Sequence, residues 1–169
     1  GCWLGGTLTL HNGITAIGEN AFANNGFKGE LRLPKDLEVV SNGAFYNGDF
    51  SGYLVLPENL YTIGDMAFAY NWRLMGTLEI PQNVISIGVG AFAHCRSLEG
   101  VIFPEGLESI RYEGSYYEDG GAFEGCFGIG RWYFSCPKNE EFALKSENIF
   151  HFSLQFSEKA LPLHRFSEQ

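Results

Sequence analysis

The dipeptide Ala-Phe recurs five times at near-constant spacing: Ala21-Phe22, Ala44-Phe45, Ala67-Phe68, Ala91-Phe92 and Ala122-Phe123. The steps between the phenylalanines are 23, 23, 24 and 31 residues, the last being one unit plus an insertion of 8. A second marker keeps the same beat. It reads Leu31-Arg32-Leu33-Pro34, Leu54-Val55-Leu56-Pro57, Leu78-Glu79-Ile80-Pro81 and Val101-Ile102-Phe103-Pro104. Leu8-Thr9-Leu10-His11 and Trp132-Tyr133-Phe134-Ser135 fit the same column without the proline. A period of this length constrains the fold strongly. One such unit cannot bury an apolar stripe alone, so the units must stack on each other.

Each unit repeats seven apolar positions; in the second they are Leu31, Leu33, Leu37, Val40, Ala44, Phe45 and Phe50. Both leucines of Leu-x-Leu face one side of a short strand, and proline, which cannot donate to a ladder, ends it. A second short segment follows, as in Leu60-x-x-Ile63-Gly64. The Ala-Phe pair then suits a single helical turn. Stacking pairs the strands into a parallel sheet at ~4.8 Å per coil. The chain is rich in both glycine (22) and phenylalanine (15) for 169 residues. Stacked coils account for both, with glycine at corners such as Gly18, Gly64 and Gly88 and phenylalanine at the centre. Three residues after each phenylalanine stand Asn25, Gly48, Asn71, Cys95 and Cys126, with Cys2 in the same column of an earlier coil. That slot reads as a ladder residue bonding the backbone at a turn.

The expected architecture is therefore a β-rich α/β solenoid of about five coils over residues 1–137, with parallel short strands and single helical turns. Residues 138–169 leave the repeat. There Phe150, Phe152, Leu154 and Phe156 alternate with polar residues, as in a half-buried strand, so a C-terminal β-containing cap is expected, with an extension belonging to a following domain as the alternative. Cys2, Leu4 and Leu8 belong to a coil whose first half is absent from the sequence. That end reads first as a chain trimmed from a longer solenoid, with end-to-end self-association through the uncapped coil as the alternative.

The pattern Leu-x-Ile-Pro-x-x-Val-x-x-Ile-Gly-x-x-Ala-Phe-x-x-Cys-x-x-Leu, complete from Leu78 to Leu98, resembles BspA-type leucine-rich repeats. The resemblance covers about residues 2–137. It implies a leucine-rich repeat solenoid. It also implies a bacterial secreted or cell-surface protein that binds host or other cell-surface proteins. The chain lacks Asn-x-Ser/Thr sequons, which also leans toward a bacterial source.

Chemistry is scarce in the sequence. The net charge is −9, from 11 basic and 20 acidic residues, which argues against a nucleic-acid partner. No apolar run approaches the ~18 residues of a membrane helix. There is no Gly-x-Ser-x-Gly, phosphate loop, dinucleotide fingerprint or zinc-ligand spacing, so no enzyme activity, metal or cofactor is expected. His94 reads as a solvated turn residue, with Cys95 turned inward. All four cysteines read as reduced structural thiols, although a Cys95–Cys126 or Cys126–Cys136 bond is not excluded by spacing.

Binding is left to two surfaces. One is the outward strand face, with Arg32, Val55, Glu79, Ile102 and Tyr133 between the inward positions and Tyr53 one position earlier. The other is the insertion Tyr112-Glu113-Gly114-Ser115-Tyr116-Tyr117, whose Tyr112, Tyr116 and Tyr117 offer large contact area at low entropy cost. A spacer without a ligand, or a carbohydrate surface using aromatics such as Trp72 and Tyr53, are the competing expectations.

Overall fold

Alternation of side chains along the chain decides which residues meet. From Arg73 to Glu79, Leu74, Gly76 and Leu78 turn inward while Arg73, Met75, Thr77 and Glu79 face water. The computed structural model describes residues 5–111 and 121–129, together with the backbone of 131–134. Two sheets, parallel throughout, run along the stack. The first comprises β1 (Gly5–Gly6), β3 (Gly26–Gly29), β5 (Asp49–Tyr53), β7 (Arg73–Glu79), β9 (Ser97–Phe103) and β11 (Arg131–Phe134). The second comprises β2 (Ala16–Ile17), β4 (Val39–Val40), β6 (Thr62–Ile63), β8 (Ser86–Ile87) and β10 (Ser109–Ile110). Each coil gives one strand to each sheet, so the stack is a leucine-rich repeat solenoid of about five coils.

The core is a set of side-chain columns. Ile17, Val40, Ile63, Ile87 and Ile110 are register partners in the second sheet. Phe45, Phe68 and Phe92 are fully buried at the centre. Their rings stack with centroids 5.3 and 5.2 Å apart, and the column continues to Phe22 at 5.5 Å and Phe123 at 5.1 Å. These distances sit just above the strand spacing of ~4.8 Å, so the coil repeat sets the stacking distance. The extra residues before Ala122 do not disturb it: Phe134 still pairs with Phe103 in β9.

Two expectations change. The described residues contain no helix, and the Ala-Phe segment is a run of β-turns. Ala44 N–H reaches Ser41 O at 3.2 Å and Tyr46 N–H reaches Gly43 O at 2.9 Å, both three residues back. The amides between them bond the next coil instead, as Phe45 N–H to Ala67 O and Phe68 N–H to Ala91 O show. A helical turn would keep those amides within the coil; the ladder gives each of them a partner in the neighbour. The second change concerns strand position. In the early coils the strand lies before Leu-x-Leu, at Gly26–Gly29 and Asp49–Tyr53; the later strands run into it.

Candidate functional site

The outward face of the first sheet carries several large apolar side chains. Val55 is 71% exposed and Tyr53 62%. Leu54 and Leu56 on either side of Val55 are buried, so the pleat forces Val55 out. Register then brings in a residue that the sequence columns do not align. Tyr53 pairs with Met75, which is also exposed; first-sheet partners here stand 21 or 22 residues apart, where the phenylalanine and proline columns run 23 or 24. The Tyr53 ring lies across the backbone of Gly76, whose φ is +79°; a Cβ there would sit 2.5 Å from Tyr53 Cε1. Glycine thus supplies both the backbone conformation and the seat for the ring. Tyr53, Val55 and Met75 form an apolar patch on a sheet whose backbone is hydrogen-bonded on both sides.

Charged residues border the patch. Arg32 bridges alongside Val55, and its guanidinium is held by Glu30 Oε2 at 2.9–3.0 Å. Arg73 pairs with Asp49 at 3.1 Å. Both pairs are exposed, a setting worth about 0–1 kcal/mol. Glu79 is exposed, as expected. Ile102, its register partner, is only half-exposed, less than its column implied. Tyr133 pairs with Ile102 through the backbone. Tyr112, Tyr116 and Tyr117 lie outside the described residues, as do Cys2, Cys136 and the segment expected to form the cap.

A second cluster escaped the sequence reading. Trp72, Arg96 and Phe127 directly follow the ladder residues Asn71, Cys95 and Cys126, so they occupy one column on three successive coils. The Arg96 guanidinium carbon is 5.6 Å from the Trp72 ring centroid and 5.9 Å from that of Phe127. Both rings are more than half exposed. Counting one residue past the ladder column would have found this trio; sequence alone offers Trp72 as an isolated aromatic.

The ladder column behaves as expected. Asn71 Nδ2 donates to the carbonyls of Phe45 and Phe68 at 2.8 Å. Cys95 Sγ donates to Phe68 O at 3.2 Å and Cys126 Sγ to Phe92 O at 3.0 Å. Both thiols are free and buried. Burial pushes the Cys126 thiol up to about 12, and Cys95 also well above its ordinary value. Neither supplies a thiolate nucleophile at neutral pH. His94 differs from expectation: it is half-buried and its ring stacks on Tyr70 at 4.6 Å. Among the described residues no cluster of His, Cys, Asp and Glu is arranged to hold a metal ion, and no helix is long and apolar enough to cross a membrane.

Neither the curated proteins nor the solved structures gave a match. A family model did. The model of the BspA type leucine rich repeat region matches residues 2–126 and, overlapping them, 71–161, in six copies. The repeat spacing, the parallel two-sheet stack and this match agree, and the chain belongs to the BspA-type leucine-rich repeat family.

Proposed function

We propose that this chain is a protein-binding module of the adhesion type, secreted or displayed at a bacterial cell surface. It holds its partner on the outward face of the first sheet. The observation that carries this reading is the patch of Tyr53, Val55 and Met75, wet apolar side chains on a rigid strand surface. Exposed aromatic and Met side chains are characteristic of binding hot spots, whereas a mere spacer gains nothing from them. Arg32, Glu79, Ile102 and Tyr133 extend the face, and Tyr112, Tyr116 and Tyr117 add a second contact from the insertion. Stacked repeats of this kind serve as binding scaffolds, so the reading assigns no catalysis.

The test is a panel of immobilised host matrix proteins and glycans probed with the purified chain. For any protein captured, Val55→Thr combined with Met75→Lys should weaken binding by about 2 kcal/mol, the scale of a hot spot. Thermal stability should stay within about 0.5 kcal/mol of the parent, because both side chains point to water. Undiminished binding by the double variant would remove the strand face from the proposal. A Tyr112/Tyr116/Tyr117→Ala variant separates the loop's share.

A further inference from the structure

Asn12-Gly13 is one of four Asn-Gly pairs in the chain, with Asn25-Gly26, Asn42-Gly43 and Asn47-Gly48. Such pairs can cyclise, because glycine leaves its amide nitrogen unshielded. The four sit in very different surroundings here, and only one is arranged for the reaction.

At Asn12-Gly13 both residues are exposed, and Gly13 has φ +90° with nothing within 4 Å of where a Cβ would stand. Gly13 N–H, the nucleophile's proton, donates to Asp36 Oδ2 at 3.0 Å. Asn12 Oδ1, the oxygen that must gather charge during attack, accepts from the Lys35 N–H at 3.3 Å. The two contacts reach consecutive residues of the next coil, 23 positions on. They therefore hold the Asn12 carboxamide and the Gly13 amide on the same side of the turn. One group is placed to draw off a proton and another to stabilise an oxyanion.

The other three pairs are locked. Gly43 is buried and its N–H donates to Asp65 O at 2.8 Å, while Asn42 Oδ1 accepts from Asp65 N–H at 2.8 Å. The Gly43 amide faces a backbone carbonyl, which takes up no proton at neutral pH, whereas Gly13 faces a carboxylate. Burial of Gly43 also keeps away the water that would open the ring. Gly26 begins β3 and pairs with Gly5. Asn47 Nδ2 donates to Asn24 Oδ1 at 3.0 Å, and Gly48 is packed against the Phe50 ring and the Asn71 amide.

We propose that Asn12-Gly13 is a built-in modification site, at which the folded chain converts its own asparagine to aspartate and isoaspartate. The Gly13 nitrogen forms a bond to Asn12 Cγ, and its proton passes by way of Asp36 to the departing amide nitrogen. The Cγ–Nδ2 bond breaks and ammonia leaves, giving a succinimide. Solvent water opens the ring at either carbonyl. The balance is one water consumed and one ammonia released, with no change of oxidation state. The product places a new carboxylate beside Asp36, and in the isoaspartate form it lengthens the backbone of that turn. Asp36 acts here as a positioning residue and proton carrier.

The experiment is incubation of the folded chain at 37 °C and neutral pH, with peptide mapping of all four sites over time. Isoaspartate is scored by its specific enzymatic methylation. Modification should concentrate at Asn12. Asp36→Asn should slow Asn12 alone by about tenfold, short of the ~100-fold that a tuned enzymatic base supplies, and Asp36→Glu should restore part of the rate. In concentrated urea the four sites should become comparable. Thermal melts of both Asp36 variants confirm that each is folded. If Asp36→Asn leaves the Asn12 rate unchanged or raises it, or if Asn47 reacts faster in the folded chain, the proposal is overturned.

Discussion

At Cys126 the thiol hydrogen is committed to Phe92 O, and this fixes both its chemistry and its pH response. Desolvation by burial is the largest reason its pKa stands at about 12, against an ordinary 9.0; the Cys95 backbone amide pulls it down, and Glu124 adds to the rise. A raised acid pKa means that the unfolded chain releases its proton first as pH rises. The stabilisation is fully present below pH 9 and is lost between pH 9 and 12, by about 1.4 kcal/mol per pH unit per thiol. Urea unfolding of the parent and of Cys126→Ala isolates the effect, since Lys and Tyr titrate alike in both. The parent should lose about 1 kcal/mol more than the variant between pH 9 and pH 10. Asn71 holds the same slot at greater cost. Its Nδ2 serves two carbonyls, but its buried Oδ1 finds no donor among the described residues, a penalty that a thiol avoids.

Among the elements, the turn ladder was the least legible from sequence. Two columns adopt positive φ: Asn20, Gly43, Met66 and Gly90 two residues before the first four phenylalanines, and Asn24, Asn47, Tyr70, His94 and Gly125 two residues after all five. Asn and Gly announce such positions, but Met66, Tyr70 and His94 do not, and their neighbours in sequence look helical. The strain is accepted because each turn bonds the next coil, as Met66 N–H to Val89 O and Tyr70 N–H to Ala93 O show. The phenylalanine column and the inward alternation of Leu-x-Leu were readable because the 23-residue beat and period 2 leave little choice, although the early first-sheet strands lie ahead of Leu-x-Leu. The Tyr53–Met75 register was not, since first-sheet partners are spaced more closely in sequence than the phenylalanine and proline columns that mark the repeat. Met66 offers a direct check. A left-handed conformation costs an ordinary residue roughly 1–2 kcal/mol, and Asn much less. Met66→Asn should therefore raise stability by up to about 1 kcal/mol, net of the packing that a half-buried Met side chain provides, read as a higher midpoint in denaturant. A lower midpoint would show that this packing outweighs the backbone strain.

Over the whole molecule, stability is carried from coil to coil. Each unit packs mainly against its neighbours, with the exposed Arg111–Asp65 ion pair at 3.0 Å reaching across one coil, so the total approximates a sum of coil and interface contributions. Burial along the phenylalanine column is uneven: Phe22 is half-buried, whereas Phe45, Phe68 and Phe92 are closed to solvent. Leu8, Leu10, Ile14 and Phe27 around Phe22 are likewise only partly buried. The same substitution should therefore cost different amounts along the stack. Phe68→Ala opens a cavity between two stacked rings and should cost about 3–5 kcal/mol. Phe22→Ala removes less buried area and should cost about half as much by the same area argument. The two should also differ in kind. Losing Phe22 lets its own coil open while the rest stays folded, so amide exchange speeds up near β2 alone. Losing Phe68 weakens interfaces on both sides, and exchange should rise from β5 through β9 together. Equal costs at the two positions, or exchange that changes globally in both variants, would mean that the stack folds as one unit and that the interfaces between coils are strong enough to prevent any coil from opening alone.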